Sequence, residues 1–68
     1  MWEYKITKSW LGYNIYKKKE IDGLLYVWYL SGNDEWRLWK QYAKIFYHKE
    51  DAMSHLTLAR YKDGKKSD

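Results

Sequence analysis

His48 and His55, with the acidic pairs Asp34-Glu35 and Glu50-Asp51, are the groups in this 68-residue chain that could ligate a metal or move a proton. Their spacing argues against both. Seven residues apart on a helix, the two imidazoles share a side but stand two turns, about 10 Å, from each other, too far to hold one ion. Cysteine is absent, which removes thiolate metal sites and disulfides. Asp34-Glu35 follows Ser31-Gly32-Asn33, a turn composition. Glu50-Asp51 opens a helical segment, where carboxylates suit the positive end of the helix dipole. Ser9, Ser31, Ser54 and Ser67 lack the Gly-x-Ser-x-Gly setting of an activated nucleophile. Gly12, Gly23, Gly32 and Gly64 are spaced as turn punctuation, not as a phosphate-cradling loop. The expectation is a protein with no catalytic residues, no metal and no cofactor.

Binding chemistry is better represented. The chain has 5 Trp, 8 Tyr and 1 Phe, interleaved with 13 Lys and Arg. Tyr13, Tyr16, Lys17, Lys18, Lys19, Trp36, Arg37, Trp39 and Lys40 form the candidate partner-binding set. Trp, Tyr and Arg dominate the energetics of protein interfaces, so the first expectation is a protein partner. The same residues could stack bases and neutralise phosphates, which makes nucleic acid the alternative. No RNP, KH or helix-turn-helix pattern accompanies them. Lys17 to Lys19 also suits a plain solvated charge run that protects a sheet edge. A third alternative is a homodimer or larger oligomer built by pairing sheets.

Length and charge bound these readings. Sixty-eight residues make one domain, taken as 1–64 with a flexible tail at 65–68. A core this small leans on its aromatics, which bury about 150–250 Å² each. The net charge of +4 is concentrated in residues 1–20, where five Lys face two Glu. That excess favours anionic partners and argues against an acidic DNA mimic. The start, Met1-Trp2-Glu3-Tyr4, lacks the basic and apolar regions of a secretory signal. The longest apolar run, Leu24 to Leu30, is far short of a membrane span. A cytoplasmic location and no membrane partner are expected.

The elements that must position these residues follow from periodicity. Trp2, Tyr4, Ile6 and Trp10 share one parity against Glu3, Lys5, Thr7 and Ser9, which predicts a half-buried strand with Lys8 as its exception. Leu11-Gly12 is a turn or bulge. Residues 13–20 form a second strand, with Tyr13 and Ile15 facing one way and Asn14 and Tyr16 the other. Asp22-Gly23 is a strong hairpin signal. Residues 24–30 are apolar on both parities and read as a central strand. Trp36 to Trp39 begins a fourth strand, and Ala43 to Tyr47 a short fifth. Glu50-Asp51 at the start, Arg60 and Lys62 near the end and Gly64 beyond bound a C-terminal helix. Its predicted apolar stripe is Ala52, Met53, Leu56, Ala59 and Tyr61. The small stripe and acidic start suit docking on a core rather than on a membrane surface.

The expected fold is therefore α+β: a four- to five-stranded twisted antiparallel meander followed by one helix. One helix covers one sheet face. The second face is either closed by the sheet curling into a partial barrel or left for a partner.

The layout resembles that of small accessory proteins encoded by phages and prophages. The resembling parts are Gly12-Tyr13-Asn14-Ile15-Tyr16, the Asp22-Gly23 hairpin, the strand containing Trp36, and Ala43-Lys44-Ile45-Phe46 leading into Glu50-Asp51-Ala52 and Leu56. The resemblance implies inhibition or modulation of a host protein, including a defence complex. It assigns no functional residue.

Overall fold

The Asp22-Gly23 hairpin sets the register of the two longest strands. Asp22 and Gly23 both adopt positive φ, 51° and 81°, the backbone of the tight turn whose twist matches the flanking strands. That turn joins β2 (Tyr13–Ile21) to β3 (Leu24–Leu30), with Ile21 opposite Leu24 and Tyr16 opposite Tyr29. β1 (Glu3–Lys8) pairs antiparallel on the other side of β2, with Ile6 opposite Ile15. β4 (Trp36–Arg37) pairs with β3. The result, in a computed structural model that describes residues 2–66, is a four-stranded antiparallel sheet in the order β1-β2-β3-β4. A single helix, α1 (Lys49–Lys66), follows.

The sheet does not close into a barrel, and it has four strands, not five. Residues 43–47 form a strap instead of a strand. β2 and β3 part beyond the Tyr16–Tyr29 pair, and the strap bridges the gap. Tyr13 and Phe46 exchange backbone hydrogen bonds of 2.7 and 2.8 Å, and the Lys44 N–H donates to the Leu30 carbonyl at 2.9 Å. Ser31 pairs with Ala43, and the Asn14 amide nitrogen donates to the Lys44 carbonyl at 2.9 Å. Asn14, from the polar parity of β2, is thereby buried. The expected strand at Trp36 to Trp39 stops after two residues. A single 3-10 turn, η1 (Lys40–Tyr42), carries the chain into the strap.

Residues directly opposite in an antiparallel pair face the same side. Tyr4, Ile6, Ile15, Lys17, Leu30 and Trp36 therefore share one face, and the helix lies on it. Ile15, Leu30, Phe46 and Ala52 are buried there, with Ile6, Tyr13, Trp36, Leu56 and Ala59 packed around them. The helix faces the sheet through Ala52, Leu56 and Ala59 as predicted, but Met53 and Tyr61 point outward. His55 takes an inward position, its ring 4.8 Å from that of Phe46. Gly64 does not stop the helix, which continues to Lys66. The last two residues of the expected tail lie outside the described residues.

Two sequence expectations about burial fail, each for its own reason. Leu24 and Leu25 are each 62% exposed: Leu24 faces the helix side where the β2–β3 hairpin extends past the helix, and Leu25 faces the side that no helix covers. Trp10, predicted to share the inward parity of β1, is 97% exposed, because the chain leaves the strand after Lys8 and turns at Ser9–Gly12. No helix among the described residues is long and apolar enough to cross a membrane.

The strap dictates Gly12. A Cβ there would collide with the Phe46 carbonyl oxygen and press on Ile45 Cγ2, 3.1 Å away. A backbone oxygen cannot rotate aside. Gly12→Ala should therefore cost about 1–3 kcal/mol, the range for forced overpacking. Gly32→Ala, where a Cβ meets open space, should stay within about 0.5 kcal/mol. Urea denaturation of the two variants measures the difference.

Candidate interaction surface

The nine candidate residues do not form one patch. Strand alternation divides the run Tyr16 to Lys19: Lys17 and Lys19 face the helix side, and Tyr16 and Lys18 face the other. Tyr13 packs against the core. Lys18 sits 3.7 Å from Glu3 in an exposed ion pair, and the Lys19 ammonium lies 5.6 Å from the Trp2 ring.

Lys17 departs furthest from a solvated charge run. Its ammonium is buried between two indoles, 4.6 Å from the Trp2 ring centre and 4.4 Å from that of Trp36. It donates to Asp63 Oδ2 at 2.6 Å. The same oxygen accepts the Tyr4 hydroxyl at 2.7 Å, and Asp63 Oδ1 accepts the Trp36 indole N–H at 3.2 Å. A carboxylate near the end of the helix is thus bound to β1, β2 and β4 at once.

This cluster perturbs titration in a way that speaks to its role. Burial alone would raise the Asp63 pKa. Hydrogen bonds from Lys17 and Tyr4, the Lys17 charge and the Trp36 N–H together outweigh it and hold the carboxyl below its usual range. Burial, then the hydrogen bond to Asp63 and its negative charge, pushes the Tyr4 phenol up to about 12, against a smaller opposing pull from Arg60. Asp63 therefore stays ionised and Tyr4 stays protonated across neutral pH. A general acid or base works best with a pKa near the operating pH. Neither group is so placed, and the arrangement suits holding the fold together.

Of the remaining candidates, Arg37, Trp39 and Lys40 are exposed, and Trp36 is half-buried against the core. Trp36, Arg37 and Trp39 line one shallow concavity with Trp28, Leu38 and Tyr42. Lys40 lines a second with Trp10, Leu11, Asn14 and Ile45. Residues 38–42 border both. Trp39 is 66% exposed and Tyr42 is 55% exposed, and Leu11 and Leu38 are also exposed. Arg37 reaches Glu35 at 2.8 Å.

The sequence reading missed Trp10, Leu11 and Tyr42. Its usable signal was two large apolar residues directly before a turn glycine, a place where no strand partner can cover them.

Compared with protein-family models, curated proteins and solved structures, the chain matches none of them.

The Asp63 cluster makes its own prediction. Because the Asp63 pKa is depressed on folding, its contribution is complete above the unfolded value of about 3.9 and is lost as pH falls through the folded value. Because the Tyr4 pKa is raised, its contribution is complete below the unfolded value of about 10 and is lost as pH rises through the folded one. Asp63→Asn should cost about 2–4 kcal/mol at neutral pH, near the lower part of the range for stripping a buried cation of its partner, since Asp63 keeps some water contact. It should also make the acid arm of the stability profile shallower. Urea midpoints measured from acid to neutral pH check both effects.

Proposed function

We propose that the chain is a non-enzymatic protein-binding module that docks its partner through residues 38–42 and the adjoining Trp10-Leu11 tip. The observation that carries this reading is the set of large apolar side chains held outward at two concavities, Leu38, Trp39 and Tyr42 at one and Trp10 and Leu11 at the other, with the segment 38–42 contributing lining residues to both. Exposed apolar side chains gathered in this way mark interaction sites. Tyr and Trp are the usual anchors, and Arg37 and Lys40 supply a polar rim.

The backbone beneath the patch is preorganised. The Tyr42 and Ala43 amides donate to the Trp39 and Lys40 carbonyls at 3.1 and 2.9 Å, and Ser9 and Gly12 close the loop at 2.6 and 3.3 Å. Side chains presented on fixed backbone lose less entropy on docking, which favours tight binding through a small patch. Such a module acts by occupying a surface that its partner needs for something else. The likeness to phage accessory proteins favours a host protein or defence complex as that partner, met in the cytoplasm.

The test is affinity capture with the wild-type chain and a Trp10→Ala/Trp39→Ala double variant. Both indoles are exposed, so the variant should melt within a few degrees of wild type. Wild type should retain a stoichiometric partner. The double variant should bind it at least about a hundredfold more weakly, as expected on removing two hot-spot residues. Retention of the same proteins by both would overturn the proposal. Self-association of wild type in sedimentation, abolished in the double variant, would replace the foreign partner with a second copy of the chain.

A further inference from the structure

A second surface lies on the sheet face turned away from the helix. The register carries one row straight across all four strands. Lys5 of β1 is opposite Tyr16 of β2, Tyr16 is opposite Tyr29 of β3, and Tyr29 is opposite Arg37 of β4. All four side chains point to the helix-free face. The two phenol rings are half-buried, with centres 6.0 Å apart and planes tilted by 45°. Lys5 and Arg37, at the two ends, are exposed.

We propose that this row binds single-stranded nucleic acid, Tyr16 and Tyr29 each stacking one base and Lys5 and Arg37 taking the flanking phosphates.

Three features favour this occupant. Adjacent aromatic rings on an open sheet, bounded by cations, are the arrangement that accepts splayed bases and tracks their backbone. The row has no apolar centre ringed by polar groups, as a protein-docking patch would have, because its outer members are cations and its inner ones are phenols. The charge also fits an anionic strand. Lys18 lies on the same face beside Tyr16, and the whole chain carries +4. The carboxylates nearby are Glu3, paired with Lys18 at 3.7 Å, Glu35, paired with Arg37 at 2.8 Å, and Glu20, which lies on the same face on the far side of Lys18 from Tyr16. Both pairs are solvent-exposed, and exposed pairs hold weakly in water, so a phosphate can displace them.

Fluorescence anisotropy with labelled oligo-dT and oligo-U of about ten nucleotides tests the proposal. Tyr16→Leu and Tyr29→Leu should each weaken binding about tenfold or more, and the Phe variants should change it less than about twofold, because stacking needs the ring and not the hydroxyl. Lys5→Glu should lower affinity and flatten the salt dependence by about 0.7 in the slope of log K against log salt, the value of one phosphate contact on a single strand. Lys49→Glu, the same charge change on the helix, should do far less. Lys5 is exposed, so this pair stays informative even where a Tyr→Leu variant unfolds. Binding of both strands, or of one alone, supports the platform. Absence of binding to either strand at low salt overturns the proposal. So does an equal loss in Lys5→Glu and Lys49→Glu, or wild-type affinity in folded Tyr→Leu variants.

Discussion

The helix is tied to the sheet by one carboxylate. Asp63 is the point at which β1, β2 and β4 meet α1, through Tyr4, Lys17 and Trp36. The apolar part of the helix–sheet contact is short. Ala52 is buried and Leu56 and Ala59 are partly so, and further along, the inward position belongs to Asp63. Without an acceptor there, the Lys17 ammonium would be a buried cation facing two indoles. Cation–π contact is worth about 0.5–2 kcal/mol and does not by itself offset the loss of water around an ammonium. The carboxylate is therefore required by the lysine as much as the lysine by the carboxylate. The position of Lys17 is fixed in turn by the β2 register, and so by the Asp22-Gly23 turn.

That constraint changes what the aromatics are for. The composition suggested that Trp and Tyr must fill the core of so short a chain. The buried side chains are instead Ile15, Leu30, Phe46 and Ala52. Trp2 and Trp36 flank a cation, Tyr4 donates to a carboxylate, and Trp10, Trp39 and Tyr42 face outward. A polar cluster has taken part of the place that a larger apolar core would occupy, which releases several rings to the surface. Surface rings cost solubility and invite association, so their retention on stiff backbone is the physical ground for reading residues 38–42 and the Trp10-Leu11 tip as a docking site.

Local signals were legible in the sequence, and distant ones were not. The alternation in β1 and β2, the Asp22-Gly23 turn and the acidic opening of the helix each depend on residues within a few positions of one another, and each appears where it was expected. The strap was misread because Ala43 to Phe46 has strand-like composition, yet its ladder is supplied by two strands that diverge, with Tyr13 on one side and Leu30 and Ser31 on the other. Asp63 was invisible for the same reason. A single carboxylate near a helix end looks like surface charge until the fold brings Lys17, 46 positions away, against it. Lys17 itself was hidden by its neighbours: three consecutive lysines look alike in sequence, the pleat parts Lys17 and Lys19 from Lys18, and only the approach of Asp63 sets Lys17 apart.

The open sheet face is the consequence that reaches furthest. A barrel would need apolar residues facing inward from every strand. On the helix-free side, β1 offers Glu3, Lys5 and Thr7, and β2 offers Asn14, Tyr16, Lys18 and Glu20, so only β3, with Leu25, Val27 and Tyr29, presents a mainly apolar row there. The sheet stays open because half of its outer face is charged, and the Tyr16–Tyr29 pair survives there as an island between cations. The same alternation that buries Ile15 beneath the helix places Tyr16 on the far side, so no shift of register could hide one ring pair without exposing the core. The fold thus holds its two surfaces apart by construction. One is apolar, on residues 38–42 and the Trp10-Leu11 tip. The other is aromatic and cationic, on the sheet, and Arg37 stands where they adjoin.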